Sequence, residues 1–277
     1  MRVLNERKCF GGVQGFYAHA SKATGTEMSF GLFLPPQIRD GPVPVLIYLA
    51  GLESTHETAA IKAGAQRALA ARGVAMLTPD TSPRGLDLPG EHDDWDFGSG
   101  AGFYLDAVET PWADHYRMRA YVLGDLIDDA ARAFPALDAS RLAVTGHSMG
   151  GHGALTLALS SPGRFKSVSA FAPIVAPAAS PWGQKAFARY LGEDRAAWRA
   201  YDACSLIEDG ARAPHILIDQ GAADAFLDGQ LMPARLEKAC ADAGQELTLR
   251  RQAGYDHSYF FVSSFIDDHV AWAAERM

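Results

Sequence analysis

The sequence predicts an α/β fold: a mostly parallel, twisted sheet flanked by helices, with antiparallel strands at its N-terminal edge. Three observations predict it. Short apolar runs rich in β-branched residues recur along the chain, segments with helical periodicity separate them, and 48% of the 277 residues are hydrophobic. A chain of this length forms either one domain or two small ones. Since no Pro/Gly/Ser-rich linker, charge block or internal repeat divides it, we expect a single domain over residues 1–277.

The first predicted strands are 13–20 and 28–35, which we expect to pair antiparallel at one edge of the sheet. Six later apolar runs, each bounded by Gly, Pro or Asp, are predicted as buried strands: 43–51, 73–80, 141–148, 167–173, 215–221 and 246–251. Helical periodicity predicts helices over 56–72, 114–134, the stretch after Ser148, 231–244 and 265–274. Because strand and helix alternate, we expect crossover connections between parallel strands.

The charge and the cysteine content exclude several classes of protein. Counting 25 Lys and Arg against 33 Asp and Glu gives a net charge of −8, which disfavours nucleic-acid binding. No apolar run approaches the roughly 20 residues that span a bilayer, and the N-terminus has no apolar signal core. Three scattered cysteines without a Cys-x-x-Cys pair predict neither a disulfide framework nor a zinc site. We expect a soluble cytoplasmic protein with no metal, nucleic-acid or membrane partner.

The segment Gly146-His147-Ser148-Met149-Gly150 lies where a predicted strand gives way to a predicted helix. This Gly-x-Ser-x-Gly pattern is the nucleophile turn of α/β-hydrolases, in which glycines let the backbone close around a strained strand-to-helix turn. The bare pattern also occurs by chance or as a purely architectural turn. Its position here favours Ser148 as a nucleophile, with the Met149 N–H at the helix start as an oxyanion donor.

A second oxyanion donor is expected from the loop after the third strand of this fold. That loop is 48–57, in which Gly51 permits close backbone approach and the Leu52 N–H can face Ser148. The alternative is an ordinary strand-to-helix turn with Thr55 as the helix cap. The two are compatible.

The base should follow the nucleophile and the acid in chain order, and only three histidines lie far enough downstream of Ser148. His215 starts a predicted strand, at the wrong end for a catalytic face, and His269 lies in the C-terminal helical pattern. His257 is in a loop directly after a predicted strand, so we expect it to be the base; the alternative is a surface loop histidine.

The acid should lie in the loop after the strand 215–221. Asp224 is the first carboxylate beyond the turn and is preferred on position, while Asp228 needs the loop to extend further. Asp219 is still within the strand and is expected to be a strand-end or turn residue. The acid would hold the tautomer of His257 and stabilise its imidazolium.

Several segments go beyond the generic fold: YLAGLEST, TSPRG, DDWDFGSGAGFYLDA, the PW…YRM…Y stretch, GHSMGGHGAL, PWGQKAFARYLG and GYDHSYFF. Together they closely resemble the S-formylglutathione hydrolase (esterase D) family, in order and over nearly the whole chain. The resemblance implies a triad of Ser148, Asp224 and His257, with oxyanion donors on Leu52 and Met149. It favours Asp224 over Asp228 more firmly than spacing does.

The resemblance also implies a chemistry. Family members hydrolyse the thioester S-formylglutathione to formate and glutathione, in formaldehyde removal, and cleave small activated esters. They need no cofactor or metal, are usually cytoplasmic and are often dimeric, so we expect the same here, with a homodimer as one expected assembly. Ser54 and Val175 stand where the family commonly has Cys. The thiol sensitivity associated with the first position is therefore not expected in this chain.

Two long segments, 82–112 and 172–192, fit neither a strand nor a helix pattern and are expected to wall a pocket. Because formyl is the smallest acyl group, we expect a shallow acyl pocket, narrowed by the aromatic residues of these segments: Trp95, Phe97 and Trp182. Core anchoring of the loops is the equal alternative. Arg84 or Lys185 is a candidate to attract the glutathione carboxylates, although an exposed cation is usually just solvated.

Two other functions remain open from the sequence. One is a broader small-acyl carboxylesterase or an acyltransferase of the same fold. The other is a hydrolase-fold binding module without catalysis, against which the set of Ser148, Asp224 and His257 argues.

Overall fold

The computed structural model describes residues 1–277 and contains one sheet of nine strands in the order β1-β2-β3-β5-β4-β6-β7-β8-β9. The strands are β1 Arg2–Cys9, β2 Gly12–Ala20, β3 Glu27–Leu34, β4 Val43–Leu49, β5 Ala75–Pro79, β6 Leu137–Gly146, β7 Ser167–Phe171, β8 Ile216–Gly221 and β9 Leu247–Gln252. Pairing is antiparallel from β1 to β5 along the sheet and parallel in every pair from β5-β4 to β8-β9. The predicted fold class is confirmed.

Ten α-helices connect the strands: α1 Thr58–Lys62, α2 Gln66–Arg72, α3 Met118–Tyr121, α4 Ile127–Ala133, α5 Met149–Ser160, α6 Pro181–Leu191, α7 Arg195–Trp198, α8 Ala203–Glu208, α9 Pro233–Ala243 and α10 Tyr259–Ala274. A π-helical turn, Val122–Leu126, joins α3 to α4, and another, Leu227–Leu231, precedes α9. None of these helices combines the length and the apolar character that a membrane-spanning helix requires.

The central strands are buried on both faces. Every residue of β5, β7 and β8 is buried, as is typical of parallel strands covered by helices on both sides. This explains why they appear in the sequence as continuous apolar runs and not as alternating patterns. Both α5 and α10 pack against these strands, and all the proposed catalytic side chains follow carboxyl ends of β6, β8 and β9.

The first strand was not predicted. β1 is exposed at six of its eight positions and pairs with β2 alone, so burial imposes no apolar pattern on it. Its charged residues include Arg7 and Lys8, which suit an exposed edge strand because charge discourages pairing with another chain. β1 is defined by its backbone hydrogen bonds to β2, and these leave no pattern in the side chains.

The segment 172–192 is not irregular throughout, which corrects the expectation from the sequence. Its second half is α6, whose N-cap is Ser180: the Ser180 Oγ accepts the Gly183 N–H at 3.1 Å, and Pro181 occupies the first helical position. A Ser-Pro pair is a recognised helix-start signal. Helices α7 and α8, over residues that had no prediction, are likewise capped by Asp194 and Asp202.

The segment 82–112 does lack helices and strands, as expected, yet much of it is buried. Its Phe97 stacks on Tyr190 of α6 with ring centroids 4.5 Å apart, and Trp112 meets Phe97 edge-on at 4.9 Å. The Tyr190 hydroxyl also donates to the Ala101 carbonyl at 3.1 Å. Aromatic packing therefore fixes this long loop against α6.

Candidate active site

The turn between β6 and α5 holds Ser148 in a strained conformation, with φ 59° and ψ −120°. A Cβ on Gly146 would lie 2.2 Å from the Gly150 carbonyl oxygen, and a Cβ on Gly150 would lie 2.0 Å from the Leu49 carbonyl oxygen. Only glycine fits at either position, which is the steric reason for the Gly-x-Ser-x-Gly spacing. The Ser148 N–H donates to the Phe171 carbonyl at 2.9 Å, so the nucleophile turn is tied to β7.

His257 lies beyond β9, and its Nδ1 is 2.6 Å from Oδ2 of Asp224, which lies beyond β8. The Asp224 side chain is fully buried. Its Oδ1 accepts the Phe226 N–H at 2.8 Å, and Oδ2 also accepts from Gln220 Nε2 at 3.3 Å. The carboxylate is thus oriented from both sides, with one oxygen on His257. His257 and Ser148 line the same cavity.

The other acids and bases weighed from the sequence lie elsewhere. Asp228 is exposed in the π-helical turn Leu227–Leu231. His215 precedes β8, at the opposite end of the strand from Asp224, and its Nε2 is 2.8 Å from Thr248 Oγ1. Neither residue lines the cavity that contains Ser148.

A second buried Asp–His pair lies in the fold: His269 Nε2 is 2.9 Å from Asp219 Oδ2, and both side chains are inaccessible to solvent. Burial alone would raise the pKa of Asp219, but hydrogen bonds from His269, Arg250 and Gln252 lower it to about 2. The His269 ring stacks on Phe171 of β7 at 3.7 Å, away from the cavity. This pair ties α10 to the sheet. No sequence pattern predicts this pair, since 50 residues separate the partners.

The two backbone groups predicted as oxyanion donors are both free. Leu52 N–H donates to no backbone or side-chain acceptor, whereas the next two amides of the turn do: Glu53 to Gly100 and Ser54 to Gly51. Met149 is the first residue of α5, where helical N–H groups have no intrahelical partner. Ser148, which directly precedes Met149, shares its cavity with Leu52.

Comparison with known proteins shows the family to which the chain belongs. The sequence model of the Esterase family matches residues 21–272. The chain is 53% identical to the S-formylglutathione hydrolase of Paracoccus denitrificans (strain Pd 1222), over 99% of this chain and 98% of the relative. It is 46% identical to that of Rattus norvegicus, over 100% and 99%. The solved structure of an S-formylglutathione hydrolase from Agrobacterium tumefaciens superposes with a TM-score of 0.97 at 50% identity, over 100% of this chain and 99% of that one.

The chain belongs to the S-formylglutathione hydrolase family. It is therefore an α/β-hydrolase-fold enzyme of the esterase type, and its substrate is a small molecule. The resemblance stated from the sequence motifs is confirmed over the full chain. The likeness to a Staphylococcus aureus serine hydrolase, FphF, shows the fold alone, with a TM-score of 0.74 at 18% identity over 95% of this chain and 98% of that one.

In this family member the cavity beside Ser148 has a volume of about 380 Å³. Its walls are mainly aromatic and its floor is the nucleophile turn; the lining residues are Gly51, Leu52, Glu53, Ser54, Trp95, His147, Ser148, Trp182, Phe226, His257 and Tyr259. Trp95 meets Trp182 edge-on at 5.6 Å, and Trp182 meets Phe226 at 4.8 Å. Two of these three aromatic residues, Trp95 and Trp182, were predicted from the sequence. The third, Phe226, was not predicted; it follows Asp224 by two residues.

Phe97 is the aromatic residue that the sequence placed wrongly. It is fully buried in the cluster with Trp112 and Tyr190 and does not reach the cavity. The alternative of core anchoring describes it correctly. Trp95, two residues earlier, is 51% exposed and does line the cavity.

The two predicted cations are also absent from the cavity lining, because neighbouring groups engage them. Arg84 donates to Asp80 through Nη2 at 2.6 Å and to the Ser54 carbonyl at 2.8 Å. Lys185 on α6 donates to Asp96 at 2.7 Å. Both cations fasten the segment 82–112 to its surroundings and do not point at Ser148. The only acidic or basic residue in the lining, histidines aside, is Glu53.

His147, between Gly146 and Ser148, was not predicted to line the site. Its ring lies 4.6 Å from that of His257, centroid to centroid, and its Nε2 has no hydrogen-bond partner. Burial, with the nearby His257, lowers the pKa of His147 well below the ordinary histidine value. The ring is therefore neutral at pH 7 and packs against His257 without competing for Asp224.

Proposed function

We propose that this enzyme hydrolyses S-formylglutathione to formate and glutathione, with Ser148 as nucleophile, His257 as base and Asp224 as the residue that orients the base. The hydrogen bond between His257 Nδ1 and the buried Asp224, at 2.6 Å beside the cavity of Ser148, carries the proposal. Relatives named S-formylglutathione hydrolase, at 46 to 53% identity over the full chain, support the substrate.

In the first step, His257 Nε2 accepts the proton of the Ser148 hydroxyl as Oγ attacks the formyl carbon. The carbonyl oxygen becomes an oxyanion, which the free N–H groups of Leu52 and Met149 stabilise. The C–S bond then breaks, and the glutathione sulfur leaves as a thiol after taking the proton from His257. The product is a formyl ester on Ser148.

In the second step, water replaces the thiol. His257 takes a proton from the water while the water oxygen attacks the formyl ester. The same two N–H groups stabilise the oxyanion that forms. Collapse of this intermediate breaks the bond to Ser148 Oγ, which recovers its proton from His257, and formic acid departs and ionises to formate in water. The chain's own residues supply every group in both steps, so the mechanism requires no metal or cofactor.

The Asp224 carboxylate favours these proton transfers to and from His257. It keeps the proton of neutral His257 on Nδ1, so that Nε2 is free to accept from Ser148, and it stabilises the imidazolium that forms. The structure has no hydrogen bond between Ser148 Oγ and the His257 ring. In unliganded enzymes such bonds are often long and tighten only when substrate binds.

A broader small-acyl carboxylesterase is the second candidate, because a cavity of about 380 Å³ exceeds what a formyl group alone fills. The cysteinyl part of the leaving group must enter the same cavity, which is why we prefer the thioester. Comparing kcat/KM for S-formylglutathione with that for esters of increasing acyl length separates the two. A preference for long acyl chains would contradict the main proposal.

The Ser148→Ala variant tests the mechanism itself. We expect it to keep the wild-type unfolding temperature and to lose kcat by several orders of magnitude, as triad variants do. Stoichiometric labelling of wild-type Ser148 by an organophosphate, absent in Ser148→Ala, is the matching chemical test. An inert Ser148 would instead indicate a binding module without catalysis.

We further infer that residues 1–277 form one domain, that the enzyme is cytoplasmic, and that it assembles as a homodimer. The single sheet to which the whole chain contributes strands supports the first inference. The family resemblance supports the other two. Light scattering at low micromolar concentration measures the mass and tests the homodimer, with a mass of one chain counting against it.

A further inference from the structure

The turn that presents Leu52 is held at both ends by the loop 82–112. On one side, the Tyr104 hydroxyl donates to the Ala50 carbonyl at 2.9 Å. On the other, the Glu53 N–H donates to the Gly100 carbonyl at 3.0 Å. Leu52, whose own N–H is free, lies between these two attachments. The loop therefore fixes the peptides that flank the free amide.

The same loop is also attached to α5, the helix that carries Met149. The His152 Nε2 donates to the Phe103 carbonyl at 2.9 Å. Burial lowers the pKa of His152 to about 4, so its ring is neutral at pH 7. A Cβ on Gly153 would lie 2.6 Å from Cδ2 of Tyr104, which places the tyrosine ring directly on the helix backbone.

We propose that Tyr104 is a positioning residue that sets the oxyanion site by joining its two halves, the Ala50–Glu53 turn and the N-terminal part of α5. The inference rests on the proposed function, since it assumes that Leu52 and Met149 donate to the oxyanion. Tyr104 touches neither substrate nor the reacting atoms; it acts through the Ala50 carbonyl.

Three features indicate that this arrangement is built for the task. Phe103 and Tyr104 both have positive φ, 48° and 50°, a conformation that non-glycine residues rarely adopt and that tends to persist at functional sites. Tyr104 is fully buried, and burial raises the pKa of its phenol, so the hydroxyl stays protonated and donates. The anchored carbonyl directly precedes Gly51, which has no Cβ to limit rotation of the next peptide.

The first test is the Tyr104→Phe variant, which keeps the ring on α5 and removes only the hydrogen bond to Ala50. Full removal of one oxyanion donor typically costs roughly 100- to 1,000-fold in kcat. Loosening the donor should cost less, so we expect kcat for S-formylglutathione to fall roughly 10- to 100-fold with KM nearly unchanged. Tyr116→Phe is the matched control: its hydroxyl is also buried, but it donates to Glu91 at 2.6 Å and not to a carbonyl of the turn. We expect Tyr116→Phe to keep the wild-type kcat.

A binding measurement separates positioning from general loosening. Methaneboronic acid forms a tetrahedral adduct on a serine nucleophile and so reports the oxyanion site, whereas reduced glutathione reports the ground-state pocket. We expect Tyr104→Phe to weaken the boronic acid in proportion to kcat and to leave the affinity for glutathione unchanged. Equal weakening of both ligands, or an equal loss of kcat in Tyr116→Phe, would overturn the proposal.

A second variant reaches the same contact from the helix. Gly153→Ala places a methyl group against the Tyr104 ring and should displace its hydroxyl from Ala50. We expect a fall in kcat similar to that of Tyr104→Phe, and a double variant hardly worse than either single one, because both break one contact. Multiplicative losses would contradict a shared cause.

These outcomes are distinct from failure of the proposed function. If Ser148→Ala retained wild-type activity, the mechanism itself would be wrong. If Ser148→Ala were inactive while Tyr104→Phe kept the wild-type kcat and boronic acid affinity, only the positioning role would be refuted.

Discussion

Replacing Asp224 by Asn should disable the proposed base, because the orientation of the new amide that its neighbours favour gives His257 the wrong tautomer. In the native site, Asp224 Oδ1 accepts the Phe226 N–H at 2.8 Å while Oδ2 faces His257 Nδ1 at 2.6 Å. If the Asn oxygen keeps the bond to Phe226, its NH₂ group points at Nδ1, which must then accept. The ring proton consequently moves to Nε2, the nitrogen that has to take the proton of Ser148. If the amide flips, its NH₂ group faces the Phe226 N–H at a buried position, and this orientation is disfavoured because neither donor has an acceptor.

The expected cost follows from this wrong tautomer. The same substitution in a serine protease triad lowers kcat by about 10⁴-fold, which corresponds to about 5.5 kcal/mol of transition-state stabilisation, and we expect a similar loss for Asp224→Asn. Steady-state release of the glutathione thiol measures kcat, and thermal unfolding checks that the variant is folded. Asp228→Asn, an exposed change four residues along the chain, is the control and should match the wild type. The assignment is refuted if Asp224→Asn keeps more than about a hundredth of the activity, or if Asp228→Asn loses as much.

Trp95→Ala should lower kcat/KM several-fold with little change in unfolding temperature, because Trp95 is half exposed and lines the cavity. Phe97, two residues along, is fully buried, so Phe97→Ala should lower the free energy of unfolding by about 3–5 kcal/mol and change KM little. Calorimetry and kinetics on both variants check this. A loss of stability in Trp95→Ala with a loss of kcat/KM in Phe97→Ala would contradict the two placements. The folded pKa of Asp219, about 2, lies below the ordinary value of 3.8, so its charge contributes on the order of 2 kcal/mol to stability, complete above about pH 5 and lost as pH falls through 2. In urea unfolding, the stability gap between wild type and Asp219→Asn should therefore narrow on acidification, and a constant gap would count against it. Raising the salt concentration should not reduce kcat/KM for S-formylglutathione, because the net charge is −8 and no unpaired cation lines the cavity; a several-fold fall would reveal a cationic site.

The parts of the fold and the site that the sequence predicted are those governed by local sterics or by chain order. Gly146 and Gly150 are required by backbone oxygens within a few residues or on the adjacent strand, so the nucleophile turn leaves a local signature. The fold contains the predicted strands from 13–20 onward, and burial on one or both faces explains the apolar pattern of all but the last. The strand predicted as buried at 246–251 is the edge strand β9, and none of its residues is fully buried because no strand covers its outer side. The roles of Asp224 and His257 follow from their order along the chain and from the family resemblance, and the Asp224→Asn variant tests them.

The features that the sequence did not predict depend on contacts between distant residues. Nothing local distinguishes Asp219 as the partner of His269, or Lys185 as the partner of Asp96, 89 residues away. Arg84 pairs with Asp80 only four residues earlier, but the two lie where a strand gives way to an irregular segment, so their spacing predicts no contact. Tyr104 likewise belonged to an unassigned loop, and its target, the Ala50 carbonyl, is a backbone atom that no side-chain pattern marks.

These distant contacts bear on how the enzyme would choose its substrate. Asp94 and Asp96, on either side of Trp95, are paired with Arg189 and Lys185 on α6, which holds the tryptophan against the cavity. The available cations thus fix the shape of the wall, and none is left there to bind the carboxylates of glutathione. An acyl group that is too large for a rigid wall binds with its carbonyl displaced from the Leu52 and Met149 amides. Large and small acyl groups should therefore differ mainly in the rate of the chemical step and not in binding. We therefore expect selectivity for formyl to appear mainly in kcat, with KM varying little along the acyl series.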